Sequence, residues 1–213
     1  MVRHIYIIKK LIYKYLYRMK IYILRHEDRT QDCSFFSPLT KTGLNNSIKL
    51  IDYLKKENIK KIYCSPFIRT LQTIYPYAKS NDIQINLEYG LVEIHHQDLI
   101  PKKAVGITLP EYLAESFNCN LNYKTFLKST DIVYPEDNKE VCKRTRKLLQ
   151  NLISLNYTLN ENIVLVTHQS VCCEILKIVN KKNKLEPSVI TSYEKGKLSL
   201  VFDTDKWTYK PIN

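Results

Sequence analysis

The chain has 213 residues, of which 44% are apolar and 25% charged, and 33 Lys and Arg against 21 Asp and Glu give a net charge of +12. This length and composition suit one domain with its own core and exclude collagen-like, mucin-like and wholly disordered proteins. The four glycines are scattered, which excludes glycine-rich phosphate-binding loops, so a phosphate site in this chain has to be built from side chains.

The N-terminal segment is the most basic part of the chain. Residues 1–20 hold six basic side chains and no acidic one, and most of their apolar residues share one helical face. That pattern is typical of a helix lying on an anionic membrane. Neither a secretory signal nor a run of about 18 apolar residues long enough to span a bilayer is present. We predict a basic amphipathic or disordered extension over residues 1–19, with peripheral membrane or nucleic-acid contact left open. We favour a dispensable extension, because Met19 directly precedes the first strand and is a second candidate start.

From residue 20 onward, short apolar runs alternate with longer segments of helical periodicity. The predicted strands are Ile21–Leu24, Lys61–Cys64, Gln84–Leu87 and Ile163–Val166. The predicted helical stripes are Leu44, Ile48, Ile51 and Leu54; Ile68, Leu71, Tyr75 and Ala78; Val141, Thr145, Leu148 and Leu152; and Val171, Ile175, Ile178 and Val179. Fully apolar strands alternating with helices predict an α/β fold, a three-layer αβα sandwich around a mainly parallel sheet.

Two segments depart from this alternation. Residues 94–135 lack a clean period and indicate an insertion or a lid. Val189–Glu194 and Lys197–Phe202, joined through Lys195 and Gly196, have the pattern of a terminal β-hairpin.

Charged and imidazole side chains follow the predicted strands directly. They are Arg25, His26 and Arg29 after the first strand, Arg69 after the second, Glu93 after the third and His168 after the fourth. Because ligands of an open parallel sheet bind beyond the carboxyl ends of its strands, we expect these side chains to share one site.

The segment after the second predicted strand indicates an anion site. Ser65 and Pro66 are the residue types of a helix N-cap and a first helical position. Arg69 would then lie one turn into the helix, near the dipole end that attracts anions, where a guanidinium can bind two phosphate oxygens.

Five segments, in this order, resemble the motifs of the histidine phosphatase (phosphoglycerate-mutase-like) superfamily. They are Leu24-Arg25-His26, Leu39-Thr40-x-x-Gly43, Cys64-Ser65-Pro66-x-x-Arg69-Thr70-x-Gln72-Thr73, Leu91-Val92-Glu93 and Val166-Thr167-His168, within about residues 20–180. A closer resemblance is to the branch of suppressor-of-T-cell-receptor-signalling and ecdysteroid-phosphate phosphatases. It rests on Arg29, Tyr89-Gly90-Leu91-Val92-Glu93 and Thr108-Leu109-Pro110.

The resemblance implies a phosphoglycerate-mutase-like fold over residues 20–213 and a phosphomonoester hydrolase that needs no metal or other cofactor. Its expected substrate is a small molecule or a phosphotyrosyl group. His26 is implied as the nucleophile that becomes a phosphohistidine, and Glu93 as the group that protonates the leaving oxygen and then activates water. The groups implied to hold the phosphate oxygens are Arg25, Arg29, Arg69 and His168.

Two positions differ from the family's pattern. Glu27 stands where the family usually has glycine; a left-handed backbone there would cost about 1 kcal/mol, and its carboxylate would lie near the phosphate. Gln169 stands where the acid-phosphatase branch often has an aspartate proton donor, which leaves that role to Glu93. Arg29, Thr30 and Gln31 replace the residues usual in mutases, so we prefer a phosphatase to a phosphoglycerate mutase-type phosphotransferase.

Several alternatives stay open or are disfavoured. A cysteine phosphatase needs five residues between nucleophile and arginine, but Cys64 and Arg69 are separated by four. A metal hydrolase could use His95, His96 and His168, but it is disfavoured because adjacent histidines rarely point at one ion. A degenerate phosphatase-fold protein that binds a phospho-ligand or nucleic acid remains an alternative function. The sequence also leaves a homodimer open. Four further side chains either line the leaving-group side of the site or belong to a solvated loop. They are His95, His96, Lys102 and Lys103.

The cysteines indicate the compartment. None of the six lies in a CxxC pair or in zinc-ligand spacing. We therefore expect free thiols, mostly buried as small apolar side chains, in a reducing cytoplasmic environment.

Overall fold

A computed structural model describes residues 19–32, 34–98, 100–102, 105–183, 197–203 and 206–212. The strands are β1 (Lys20–Arg25), β2 (Ile59–Cys64), β3 (Ile85–Leu87), β4 (Asn162–Thr167), β5 (Leu198–Asp203) and β6 (Lys206–Ile212). The α-helices are α1 (Lys41–Lys55), α2 (Ile68–Ser80), α3 (Glu111–Ser116), α4 (Asn138–Asn156) and α5 (Gln169–Asn183).

The strands form one mixed sheet in the order β3-β2-β4-β1-β5-β6. β1, β2, β3 and β4 are parallel, whereas β5 pairs antiparallel with β1 and β6. Both faces are covered: Tyr22 and Leu24 of β1 lie in the cluster formed with α1 and α2, and Ile21 and Ile23 lie in the cluster formed with α4 and α5. This arrangement confirms the predicted three-layer α/β fold. The apolar runs located the strands because a strand buried on both faces needs apolar side chains at every position.

The apolar stripe predicted for α1 is wrong at its N-terminal half. Leu44 and Ile48 are 41% and 58% exposed, whereas Leu54 is buried and Ile51 packs against the core as predicted. Gly43, Ser47 and Leu50 are buried in place of Leu44 and Ile48. Small residues face inward because the helix start lies against the loop after β1. A Cβ on Gly43 would lie 2.1 Å from the Asp28 carbonyl oxygen. Thr40 caps the helix and donates from its hydroxyl to Asp28 Oδ2 at 2.8 Å.

The other three stripes pack inward as predicted. Every member of the α4 and α5 stripes is buried, and Ile68, Leu71 and Ala78 are buried in α2. Residues 94–135 include α3 and pack with α1 and α2 through Ile100, Leu109 and Ala114.

The terminal hairpin differs from the prediction. Lys197–Phe202 overlaps β5, but β5 has β1 on one side and β6 on the other. The predicted partner, Val189–Glu194, lies outside the described residues, and β6 was missed because Pro211 and its charged neighbours weaken the alternating pattern. The prediction for the N-terminal extension also falls outside the described residues, apart from Met19, which is fully buried.

Candidate active site

The carboxyl ends of β1, β4 and β2 lie side by side. Arg25 pairs with Thr167 and Cys64 pairs with Val166. The amide of His26 donates to Thr167 O, and the amide of Ser65 donates to Val166 O, each at 3.0 Å. The sheet therefore brings the residues that follow these strands to one place.

Two imidazoles face each other at this edge. The ring centroids of His26 and His168 are 5.3 Å apart with the planes at 62°, and the residues are 2% and 0% exposed. Nδ1 of His26 lies 2.7 Å from the Glu27 carbonyl oxygen. Because a carbonyl can only accept, Nδ1 carries the proton and Nε2 keeps its lone pair.

His168 is held by Ser65, whose Oγ lies 2.8 Å from Nε2. Nδ1 of His168 is buried without a hydrogen-bond partner in the described chain and lies 3.9 Å from Glu93 Oε2. Buried polar atoms are normally satisfied, so an unpaired ring nitrogen here is suited to bind a ligand oxygen.

The N-cap predicted at Ser65 is wrong. Helix α2 begins at Ile68 and its N-cap is Phe67, which makes no side-chain capping bond. The hydroxyl of Ser65 lies instead against His168, and Arg69 is the second residue of the helix.

The charges of Arg69, Arg25 and Arg29 act on His26. Arg69 is 2% exposed, donates from Nη1 to Ser34 O at 2.8 Å, and places its guanidinium 4.4 Å from the Phe67 ring centroid. Arg29 donates from Nη1 to Thr30 O at 2.5 Å, and Arg25 is half-buried. Backbone and aromatic contacts thus fix cations beside the two rings.

This environment favours neutral histidines. The pKa of His26 is lowered to about 3, mainly by burial. The hydrogen bond to Glu27 O acts in the opposite direction, and the charges of Arg69, Arg25 and Arg29 contribute to the lowering. Burial, then the charge of Arg69, also lowers the pKa of His168 well below its usual range. Both rings are therefore neutral at pH 7, and an anion between them would oppose the effect of the arginines.

The buried histidines predict a loss of stability in acid. Their native pKa values lie below the unfolded value of about 6.5, so the unfolded chain takes up protons first. The pKa of His95 is also lowered, mainly by burial. The free energy of unfolding should be unaffected by these groups above pH 6.5. As the pH drops toward 5 it should fall by up to about 1.4 kcal/mol per pH unit for each of His26 and His168, and His95 acts in the same direction.

Urea denaturation at pH 7.0, 6.0 and 5.0 measures this slope. A free energy of unfolding that is constant from pH 7 to pH 5 would contradict the assigned protonation states.

Glu93 lies next to His168. Its Oε1 accepts from the Ile94 amide at 3.0 Å and from the Ser170 hydroxyl. Its side chain is 17% exposed, and Oε2 is the oxygen directed toward His168. One carboxyl oxygen is therefore held by two donors, while the other faces the second imidazole. Sequence reasoning assigned no role to Ser170.

A buried ion pair holds the segment that carries Glu93. Arg144 of α4 donates from Nε to Glu136 Oε1 at 2.6 Å and from Nη2 to Glu136 Oε2 at 3.0 Å. It also donates to Gly90 O at 2.7 Å and Val92 O at 3.0 Å. Glu136 Oε2 accepts from the His95 amide at 3.0 Å. The backbone on both sides of Glu93 is thus fixed to two side chains that sequence reasoning missed.

The expected strain at Glu27 is absent, because Glu27 is not among the residues with positive φ. Its amide donates to Thr73 Oγ1 at 3.0 Å, and its carboxylate accepts from Asn46 Nδ2 of α1 at 3.3 Å. An L-residue is therefore accommodated where the family usually has glycine.

The adjacent histidines differ in environment. His95 is 6% exposed, whereas Nδ1 of His96 lies 3.3 Å from Asp98 Oδ2. Lys102 is exposed, and Lys103 lies outside the described residues. Across the described ranges, no three His, Cys, Asp or Glu side chains are grouped so as to hold a metal ion, and no helix there has the length and apolar character to cross a membrane.

Comparison with known proteins gives a family match and several similar folds. The family model described as the histidine phosphatase superfamily (branch 1) matches residues 22–213. The crystal structure of ecdysone phosphate phosphatase from Bombix mori in complex with tungstate has a TM-score of 0.69 and 15% identity, covering 92% of each chain. Mycobacterial glucosyl-3-phosphoglycerate phosphatase, in complex with VO3, has a TM-score of 0.64 and 15% identity, covering 92% of this chain and 98% of that one.

A phosphoserine phosphatase from Entamoeba histolytica has a TM-score of 0.60 and 21% identity, covering 92% of this chain and 97% of the other. Among curated proteins, human ubiquitin-associated and SH3 domain-containing protein B is 25% identical over 146 residues, which is 63% of this chain. The aligned region is 22% of that relative's length.

Proposed function

Because the chain belongs to the histidine phosphatase superfamily, branch 1, we propose that it hydrolyses phosphomonoesters through a phosphohistidine on His26, with residues 20–213 as the catalytic domain. The pair of imidazoles carries this proposal. Nε2 of His26 keeps a lone pair because Nδ1 donates to Glu27 O, and the second ring lies 5.3 Å away. An amine-type nucleophile facing a donor across a cationic site is suited to attack phosphorus.

In the first step, Nε2 of His26 forms a bond to phosphorus while the ester P–O bond breaks. The leaving oxygen takes a proton from the Glu93 carboxyl group, which becomes a carboxylate. In the second step, water attacks phosphorus and gives a proton to Glu93, and the electrons of the P–N bond return to Nε2. The histidine and the protonated Glu93 are thereby regenerated with release of phosphate.

The cations act mainly on the transferring phosphoryl group. Arg25, Arg29 and Arg69 supply positive charge, and Nδ1 of His168, buried and unpaired in the described chain, supplies a donor. Preorganised donors of this kind contribute about 3–4 kcal/mol each to the transition state. Such a set of side chains needs no metal ion to stabilise the phosphoryl charge.

We also propose that the substrate is a small molecule or a phosphotyrosyl group. Phe36 is 46% exposed and packs on Phe35, which contacts Phe67. Because Phe67 lies against His168, this series of rings extends an apolar surface outward from the site. The described cysteines, all free thiols, support a reducing cytoplasmic location.

The test is hydrolysis of a panel of aryl, sugar, nucleotide and phosphotyrosyl phosphate esters, each assayed with and without EDTA. We expect phosphate release from aryl and phosphotyrosyl esters at rates that EDTA leaves unchanged. Loss of activity in EDTA would overturn the metal-free step. Transfer of phosphate to phosphoglycerate rather than to water, followed by phosphorus NMR, would favour a mutase.

A further inference from the structure

A basic groove lies between α4 and α5, and none of its lining residues is assigned to phosphoryl transfer. It has a volume of about 600 Å³. The charged residues that line it are Lys139, Lys143, Arg146 and Lys147 of α4, and Glu174 and Lys177 of α5. A volume of this size is sufficient for a small ligand.

The four α4 cations form one continuous stripe. Lys139, Lys143, Arg146 and Lys147 are spaced i, i+4, i+7 and i+8, which places them on one helical face over about 12 Å. All four are exposed. Within the described ranges, none of them forms an ion pair with a carboxylate. Like charges at these spacings destabilise a helix unless an anion lies beside them.

The single carboxylate lining the groove is already neutralised. Glu174 is 4% exposed, and its Oε1 accepts from Lys177 Nζ at 2.5 Å. The remaining lining residues, Asn138, Cys142 and Gln150, are uncharged. The groove therefore has a net charge of +4, contributed by five cations and one buried anion.

We propose that this groove binds a free oligophosphate, a ligand with three or more closely spaced phosphate groups. The lining has no aromatic side chain on which a nucleobase could stack, which disfavours single-stranded nucleic acid. It also has no exposed apolar side chain of the kind that enters a lipid surface, which disfavours a membrane. The negative charge of closely spaced phosphates matches the cationic side chains of the groove, whose aliphatic stems form much of its walls.

The experiment is calorimetric titration of the full chain with tripolyphosphate at two salt concentrations. The K143Q/R146Q/K147Q variant should bind about tenfold more weakly and show a smaller salt dependence. The matched control K49Q/K55Q/K60Q removes the same charge from exposed lysines elsewhere and should bind like wild type. Both variants should hydrolyse an aryl phosphate at the wild-type rate, which shows that they are folded.

Hydrogen exchange locates the bound ligand independently of the variants. Tripolyphosphate should protect amides of α4 between residues 139 and 150. Equal weakening by both triple variants, or protection confined to residues 25–29 and 65–70, would overturn the groove as the site. Tighter binding to anionic vesicles or to single-stranded RNA than to tripolyphosphate would overturn the ligand class.

Discussion

Replacing His26 with alanine should lower kcat for an aryl phosphate by about 10⁴-fold or more. The variant removes Nε2, the nitrogen that keeps its lone pair in the ring facing His168. Water would have to attack phosphorus directly, with the arginines still in place. The overall fold should persist, because His26 makes its backbone bond to Thr167 regardless of its side chain.

Rapid mixing with a ³²P-labelled ester, followed by denaturation, tests the covalent step. Wild-type protein should carry phosphate that is stable in alkali and released in acid, and the His26→Ala variant should carry none. The His96→Ala variant is the matched control, since its side chain is exposed and paired with Asp98. Phosphate found on the His26→Ala protein, or turnover near the wild-type rate, would remove His26 from its role.

The position of the histidines followed from the strand pattern. Parallel strands end at one edge, and the register of β1 with β4 and of β4 with β2 brings the residues after 25, 64 and 167 together. Apolar runs locate such strands well because burial on both faces requires apolar side chains.

The predictions of the α1 stripe and of the Ser65 N-cap were wrong because small or polar residues make close contacts there. The α1 stripe was misplaced because Gly43 and Ser47 face inward, and periodicity counts only large apolar residues. Ser65 has the residue type of an N-cap, but the requirement of His168 for a hydrogen-bond partner outweighs capping at that position. Contacts between residues about 100 positions apart leave no local signal.

The sequence contains one indication of the Arg144–Glu136 pair, a charged residue on the apolar face of α4. Arg144 is three residues after Val141 and four before Leu148, so it lies on the apolar face of α4, where a charged side chain needs a buried partner. The partner itself, eight residues earlier, could not be identified from sequence because residues 94–135 and the turn after them have no periodic pattern.

Replacing Arg144 with alanine should lower the free energy of unfolding by about 3–5 kcal/mol, because the carboxylate of Glu136 is left buried and unpaired. Gly90 O and Val92 O lose their donor at the same time. Arg146→Ala, on the exposed face of the same helix, should change the free energy by less than about 0.5 kcal/mol. Urea denaturation at pH 7 compares the two.

Stability and positioning can be separated by replacing both partners. The R144L/E136L double variant removes the unpaired charge and should recover most of the free energy of unfolding, as apolar replacement of buried ion pairs often does. It cannot restore donors to Gly90 O and Val92 O or an acceptor for the His95 amide. If Arg144 and Glu136 position Glu93, this stable variant should keep its KM while kcat falls. A double variant with wild-type kcat would show that the ion pair only stabilises the fold.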